Sequence, residues 1–230
     1  MTKVLVLNGS PKASKSDTMV ATSSFIKAMV DSPNYDVEIV DIIKLNIKPC
    51  LGCFWCWSNN GGKCVQQDDH NALLEKYINA DIIIYSFPLY CYAMPSHLKA
   101  FVDRLLPLGK MTIKEIDGRL HHVPLVDMSK KKLVFICGSG FPNFEGNFES
   151  LKLMIKSKFG SKSLIICVSE APAFNQEEAK PVTLPLLKKF ESAGQYFMEH
   201  KEITPEIKKE LETPMIPIEE YIKIVNSQRH

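Results

Sequence analysis

Five short apolar runs, each followed by a stretch with helical spacing, set the strongest limit on what this chain can fold into. Lys3 to Leu7, Val37 to Ile43, Asp81 to Ser86, Leu133 to Cys137 and Leu164 to Val168 read as strands. All but the second are nearly unbroken in apolar character, the pattern of strands covered on both faces. The intervening segments repeat apolar residues every three or four positions. Thr18 to Met29 does so through Met19, Val20, Phe25, Ile26 and Met29, and Ser96 to Leu105 through Leu98, Phe101, Val102 and Leu105. Asp69–Tyr77, Phe148–Phe159 and Leu184–Glu199 read as further helices. Such alternation predicts a parallel sheet with helices on both faces, joined by right-handed crossovers.

Composition removes several alternatives. The 230 residues carry 28 Lys+Arg against 26 Asp+Glu, a net charge of +2. No dense basic run exists, so nucleic acid is not an expected partner. No stretch of 18 apolar residues is present, so no spanning helix is expected and no membrane partner. The opening MTKVLVLNGSPK has a short apolar run and no A-x-A site, which is not the pattern of a signal peptide, and a cytoplasmic location is expected. Two segments stand outside the alternation. Pro107 to Lys131 reads as an insertion that covers something, and Thr204 to His230, with Pro205, Pro214 and Pro217, reads as a tail with short helical pieces. The expected division is a domain over residues 1–200, containing a cysteine-rich loop at 50–64 and an insertion at 107–131, followed by a helical extension over 201–230.

Seven cysteines in a chain without a leader argue against a disulfide framework. Cys137 and Cys167 close apolar runs and read as small buried hydrophobes. Cys50, Cys53, Cys56 and Cys64 follow the spacing C-x2-C-x2-C-x7-C, among Phe54, Trp55 and Trp57. One short loop delivering four thiolates suits an iron–sulfur cluster or Zn²⁺. Zinc more often uses two C-x2-C knuckles set farther apart, so a [4Fe–4S] centre is the preferred metal reading. Unligated thiols in a loop that meets a second subunit are the alternative.

In an open parallel sheet, ligands bind beyond the carboxyl ends of the strands. The loop after the first strand, N-G-S-P-K-A-S-K-S-D-T, lacks both G-x-x-x-x-G-K-[ST] and G-x-G-x-x-G, so neither a triphosphate loop nor a dinucleotide fingerprint is present. Its hydroxyls and Lys12, placed just before a helix, suit a phosphomonoester; the alternative is that Ser16 or Asp17 merely caps that helix. After the third strand, S-F-P-L-Y-C-Y-A-M-P-S-H offers flat and polarisable side chains to an aromatic ligand or to ordinary packing. The loop C-G-S-G-F-P-N has glycines that let a backbone approach a ligand closely. His97 reads as a surface or packing histidine, and the pair His121-His122, whose spacing with Asp117 and Asp127 fits no standard ligand set, reads as loop composition.

Taken together, N-G-S-P-K-x-x-K-S-D-T, P-L-Y-C-Y-A-M-P-S-H-L-K-A-F-V-D-R-L and C-G-S-G-F-P-N resemble the flavodoxin-like NAD(P)H-dependent FMN reductases. The stretch from Cys50 to Asp69 is similar to the iron–sulfur flavoprotein branch of that family. The likeness covers roughly residues 1–170. It implies an α/β flavodoxin-like three-layer sandwich with a five-stranded parallel sheet in the order 2-1-3-4-5. It implies FMN at the carboxyl edge, with Ser10, Lys12, Ser16, Asp17 and Thr18 on the phosphate. Pro88, Leu89, Tyr90, Ala93 and Met94 would then lie along the ribityl chain and ring, with Gly138 at the other edge. Lys12 stands where the family usually has Arg, and Ser16 where Asn is common. The implied activity moves hydride or electrons from NAD(P)H through FMN to a quinone, a free flavin or a small electrophile. No catalytic side chain is nominated, because the flavin performs the hydride step. The alternative is an electron carrier pairing FMN with a cluster on Cys50, Cys53, Cys56 and Cys64. A homodimer or homotetramer is also implied.

Overall fold

The computed structural model describes residues 1–58, 61–116 and 118–227. Five parallel strands make the central sheet: β1 (Thr2–Asn8), β2 (Tyr35–Asp41), β3 (Ile82–Pro88), β6 (Lys132–Gly138) and β7 (Leu164–Val168). Their spatial order is β2-β1-β3-β6-β7, the expected 2-1-3-4-5 once a separate two-stranded hairpin is numbered in. Register is continuous across the sheet, with Asn8 opposite Ser86, Pro88 opposite Gly138, and Gly138 opposite Val168. The carboxyl ends of β1, β3, β6 and β7 are therefore level, and the loops that leave them meet at one edge.

Alternation along each strand divides the core in two, because successive side chains point to opposite faces. Leu5, Leu7, Ile83, Tyr85, Phe135 and Cys137 pack on one side against α3 (His70–Asn79), α4 (Ser96–Asp103) and α5 (Glu149–Phe159). Val4, Val6, Ile84, Val134 and Ile166 pack on the other against α1 (Asp17–Val30) and α6 (Lys180–His200). Complete burial of one such Leu, Ile or Phe contributes about 1.5–3 kcal/mol. Cys137 and Cys167, register partners on β6 and β7, are both wholly buried, as their apolar settings predict.

Three elements differ from the sequence reading. β2 begins at Tyr35 and ends at Asp41, and Ile42–Lys44 turns as a short 3-10 helix. α6 starts at Lys180 rather than Leu184, because Pro181 occupies the first turn, where no N–H is needed, and Pro185 lies on the exposed side. Residues 107–131 contain a hairpin, β4 (Gly109–Ile116) and β5 (Arg119–Pro124), antiparallel, with Ile113 opposite His122 and Ile116 opposite Arg119. Almost every residue of this hairpin is exposed on both faces. Its base rests on the cysteine loop: the Trp57 and His122 rings are 4.2 Å apart, and Trp57 Nε1 donates to Leu106 O at 2.8 Å. The loop itself holds one short helix, α2 (Trp55–Ser58). Asn59, Asn60, Asp117 and residues 228–230 of the expected loop, insertion and tail lie outside the described residues.

The tail forms α7 (Pro205–Leu211) and α8 (Ile218–Ser227). Leu211 is buried in the α1–α6 core. Glu212 Oε1 accepts the Cys167 N–H at 2.9 Å. The buried Glu170 carboxylate, on a residue with φ +52°, accepts Met215 N–H at 2.7 Å and Ile216 N–H at 3.2 Å. No helix among the described residues is long and apolar enough to cross a membrane.

Candidate cofactor site

The loop after β1 is organised by Asn8, a residue the sequence reading passed over. Its Nδ2 donates to Ala13 O at 2.9 Å and to Asp41 Oδ1 at 2.8 Å, and its Oδ1 accepts Ser10 N–H at 3.1 Å. Ala13 takes φ +49°, so the chain doubles back over Ser10 before entering α1. Burial raises the Asp41 carboxyl, but hydrogen bonds from Lys44 and Asn8 outweigh it and hold the group below the usual carboxylate range.

Within this loop Ser10, Ser16 and Thr18 are almost wholly buried, whereas Lys12 is exposed. Ser16 Oγ accepts Met19 N–H at 3.2 Å, so Ser16 does cap α1, one of the two readings open from sequence. Ser10 Oγ accepts Lys12 N–H at 3.2 Å. A hydroxyl that accepts a backbone N–H keeps its own O–H to donate, so neither bond removes the group from service toward an anion. The amides of Asp17 and Thr18, in the first turn of α1, have no intrahelical acceptor. The Asp17 carboxylate is committed elsewhere: Oδ2 meets Lys12 Nζ at 2.6 Å, and Oδ1 accepts Asn175 Nδ2–H at 2.6 Å. Asp17 therefore offers a ligand its amide and not its side chain.

The loop after β3 begins with Leu89 N–H donating to Gly138 O at 2.7 Å. Tyr90 and Ala93 then exchange both backbone hydrogen bonds, at 3.1 and 3.0 Å. Cys91 and Tyr92 lie between them with φ +48° and +61°, a hairpin turn that normally takes Asn-Gly. Each left-handed non-glycine residue costs on the order of 1–3 kcal/mol. Met94 is buried, and Tyr90 and Tyr92 are exposed. Beyond β6, Ser139 N–H donates to Val168 O at 2.7 Å and Phe141 N–H to Ser139 Oγ at 3.1 Å. The amides of Cys91, Tyr92 and Gly140 carry no hydrogen bond among the described residues.

Gly138 joins the loops. A Cβ at this position would fall within overlap distance of Thr18 Oγ1 and lie 2.8 Å from Ala171 Cβ. The end of β6 thus runs directly against the N-terminal turn of α1, and only glycine permits that approach. Ser10, Ser16, Thr18 and Gly138 meet at the sheet's carboxyl edge, with Pro88 to Met94 leaving the neighbouring strand end.

Past the far end of α4, Cys50, Cys53, Cys56 and Cys64 line one small recess together with Phe54, Arg104 and Pro107. Burial pushes the Cys56 thiol up, and the neighbouring Cys64, Cys53 and Cys50 push the same way. Among the described residues, no three His, Cys, Asp or Glu side chains form a group that converges on a metal ion. Behind the recess lies a buried ion pair, Arg104 Nη1 to Asp68 Oδ2 at 2.6 Å, with each side chain 1% exposed. Arg104 Nη2 donates to Cys64 Sγ at 3.3 Å.

Residues 2–180 match a family model described as the flavodoxin-like fold. The chain belongs to the flavodoxin-like family. Among curated relatives of this flavodoxin-like chain, an iron–sulfur flavoprotein of Archaeoglobus fulgidus is 34% identical over 80 residues, which is 35% of this chain and 36% of that one. An FMN-dependent NADH:quinone oxidoreductase of Pseudoalteromonas atlantica is 28% identical over 130 residues, 54% of this chain and 64% of that one. Matches to the first three curated relatives thus span 36%, 53% and 64% of their lengths, less than two thirds in each case. The solved structure of an FMN-dependent NADH-azoreductase from Bacillus anthracis, in complex with FMN, superposes with a TM-score of 0.62 at 17% identity, covering 86% of this chain and 99% of that one. That likeness is one of fold.

The flavodoxin-like frame also encloses His70, whose buried ring nitrogens have no hydrogen-bond partner among the described residues. Its ring lies 5.4 Å from that of Phe101. Burial, reinforced by the Arg104 charge, lowers its pKa from 6.5 to about 4. The unfolded chain takes up this proton near pH 6.5 while the folded chain refuses it until about pH 4. Stability therefore falls as pH drops through that window, by on the order of 3 kcal/mol in total. Urea unfolding at pH 7 and pH 4.5 should show the loss, and His70→Phe should flatten it. An unchanged pH slope in the variant would remove His70 as the cause.

Proposed function

We propose that this chain is an FMN-dependent oxidoreductase that moves electrons from NAD(P)H to a small acceptor such as a quinone, a free flavin or another small electrophile. The observation that carries the reading is the carboxyl-edge cradle, where two buried serine hydroxyls and the first turn of α1 lie where Gly138 brings β6 against Thr18. The donor set fits a phosphomonoester. Ser10 and Ser16 have O–H groups to give, Asp17 and Thr18 have amides, and Lys12, now paired with the Asp17 carboxylate, would have to turn from it to lend a point charge at the rim. Pro88, Leu89, Tyr90, Ala93 and Met94 would border the ribityl chain and ring, and the turn at Cys91–Tyr92 leaves two amides to donate to a reduced, negatively charged ring edge. Bound FMN would supply hydride acceptance and electron return, and no side chain of this protein need act as acid or base. The names of the relatives, FMN-dependent NADH:quinone oxidoreductases and iron–sulfur flavoproteins, agree with the reading. Residues 1–200 would form the cofactor domain and 201–230 its extension, and exposed Phe54, Tyr92 and Phe141 would serve a homo-oligomer.

The test is an FMN titration of the purified protein followed by NADH or NADPH oxidation with a benzoquinone as acceptor. A flavin spectrum retained through gel filtration and quinone-dependent oxidation are expected. Affinity weaker than about 1 mM, less than about 4 kcal/mol of binding, would defeat the proposal.

A second reading adds to the first. Four thiols line one recess, with a guanidinium donating to one of them; no three of them converge on a metal ion among the described residues, and as an all-sulfur set they would have to draw together to hold a [4Fe–4S] cluster. Cys50, Cys53, Cys56 and Cys64 would be its ligands, and the protein would then pass single electrons between the cluster and FMN. Iron and acid-labile sulfide in anaerobically purified protein decide it.

A further inference from the structure

The Arg104–Asp68 pair calls for an explanation other than stability. Removing two charges from water costs several kcal/mol per ion, and well-packed apolar residues in their place are often neutral or better. Its hydrogen bonds show where it acts. Arg104 Nη1 donates to Lys48 O at 3.1 Å, just ahead of Cys50, while Nη2 donates to Cys64 Sγ at 3.3 Å, at the far end of the same loop. Asp68 Oδ2 accepts Lys48 N–H at 2.9 Å, and Oδ1 accepts His70 N–H at 3.3 Å. One guanidinium therefore ties both ends of the cysteine loop to the end of α4, and one carboxylate locks the guanidinium. Cys64 faces a fixed cation, and Asp68 is the anion that partly cancels it.

We propose that Arg104 is a positioning residue that closes the four-cysteine loop and raises the reduction potential of a cluster held there, with Asp68 restraining that effect. The inference rests on the iron–sulfur reading above. Reduction adds one electron, taken from dithionite in a titration, to a centre that already carries negative charge from four thiolates. A cation and an N–H···S bond at Cys64 both favour the added electron. The two members of the pair therefore act with opposite signs. Arg104→Gln removes the charge and makes reduction harder. Asp68→Asn leaves Arg104 uncompensated and makes reduction easier. A merely structural pair would not produce opposed shifts.

The experiment is an anaerobic redox titration of the full chain, followed by electron paramagnetic resonance, with iron and FMN content measured on each sample. A tenfold change in electron affinity is expected in each variant, downward for Arg104→Gln and upward for Asp68→Asn, equal to 59 mV for a one-electron couple. Arg104→Lys keeps a cation without the two-pronged grip and should lie between the parent and Arg104→Gln. It also carries the test if Arg104→Gln loses its iron or fails to fold. Parent protein without iron overturns the iron–sulfur reading, and this inference with it. Parent protein with iron, and variants whose potentials stay put or move in the same direction, overturn the role of Arg104 alone.

Discussion

Valine in place of Gly194 is expected to destabilise the chain by more than about 3 kcal/mol, beyond the usual 1–3 kcal/mol of an overpacked core. Gly194 lies inside α6 where that helix crosses α1, and a Cβ there would overlap the carbonyl oxygen of Phe25 and lie 2.7 Å from its carbon. The obstacle is helix backbone, which cannot rotate away as a side-chain end does. Relief would require the helices to separate, and that would loosen Phe25 and Phe197, whose rings stand 5.5 Å apart, together with Phe190. Domains have only about 5–15 kcal/mol in total, so the variant should lose a large part of its stability. Urea midpoints of Gly194→Ala and Gly194→Val measure the effect. A valine variant within about 0.5 kcal/mol of the parent, the range of a neutral surface change, would show that α1 and α6 do not approach as described.

The second large effect is on cofactor affinity. Gly138→Val is expected to weaken FMN binding at least about a hundredfold, or about 2.7 kcal/mol. Its side chain would displace the Thr18 hydroxyl and press on Ala171, pushing the end of β6 away from the first turn of α1. Phosphate donors held in fixed positions lose more from such a shift than apolar contacts do, because hydrogen bonds weaken steeply with angle. Quenching of FMN fluorescence gives the affinity, and a urea midpoint on the same sample separates lost binding from lost fold. An affinity within threefold of the parent, in folded protein, would move the proposed phosphate site away from this junction.

Much of this architecture could be read from residue order. β1, β3, β6 and β7 announced themselves because both of their faces are covered, so each appears as an unbroken apolar run. β2 was displaced at its ends because it lies at the sheet edge and alternates with Asp36 and Glu38. The β4–β5 hairpin escaped because neither face meets the core, which leaves no period-two signal. The dipeptide Asp117-Gly118, with Thr112, Ile113 and Ile116 before it and Leu120 and Val123 after it, was the available clue. The loop chemistry was legible as residue types, since Ser10, Ser16 and Thr18 are polar beside a buried strand. The commitment of the Asp17 carboxylate to Lys12 and Asn175 was not, because Asn175 lies 158 residues away. Arg104 was invisible for a similar reason. An arginine after an amphipathic helix reads as solvated, and only the return of the chain through Lys48 and Asp68 makes it the floor of the cysteine recess.

The two margins of the sheet are closed in different ways. On one side β2 presents the exposed Asp36, an acid that repels an approaching copy of itself, while the Glu38 carboxylate is held by Lys76. On the other, the amide of Cys167 is stoppered by Glu212, which arrives from the far end of the chain after Leu211 has seated. A segment synthesised after all five strands is thus the one that seals β7. Until it docks, a nascent or proteolytically shortened molecule carries an open ladder able to recruit a neighbour's strand.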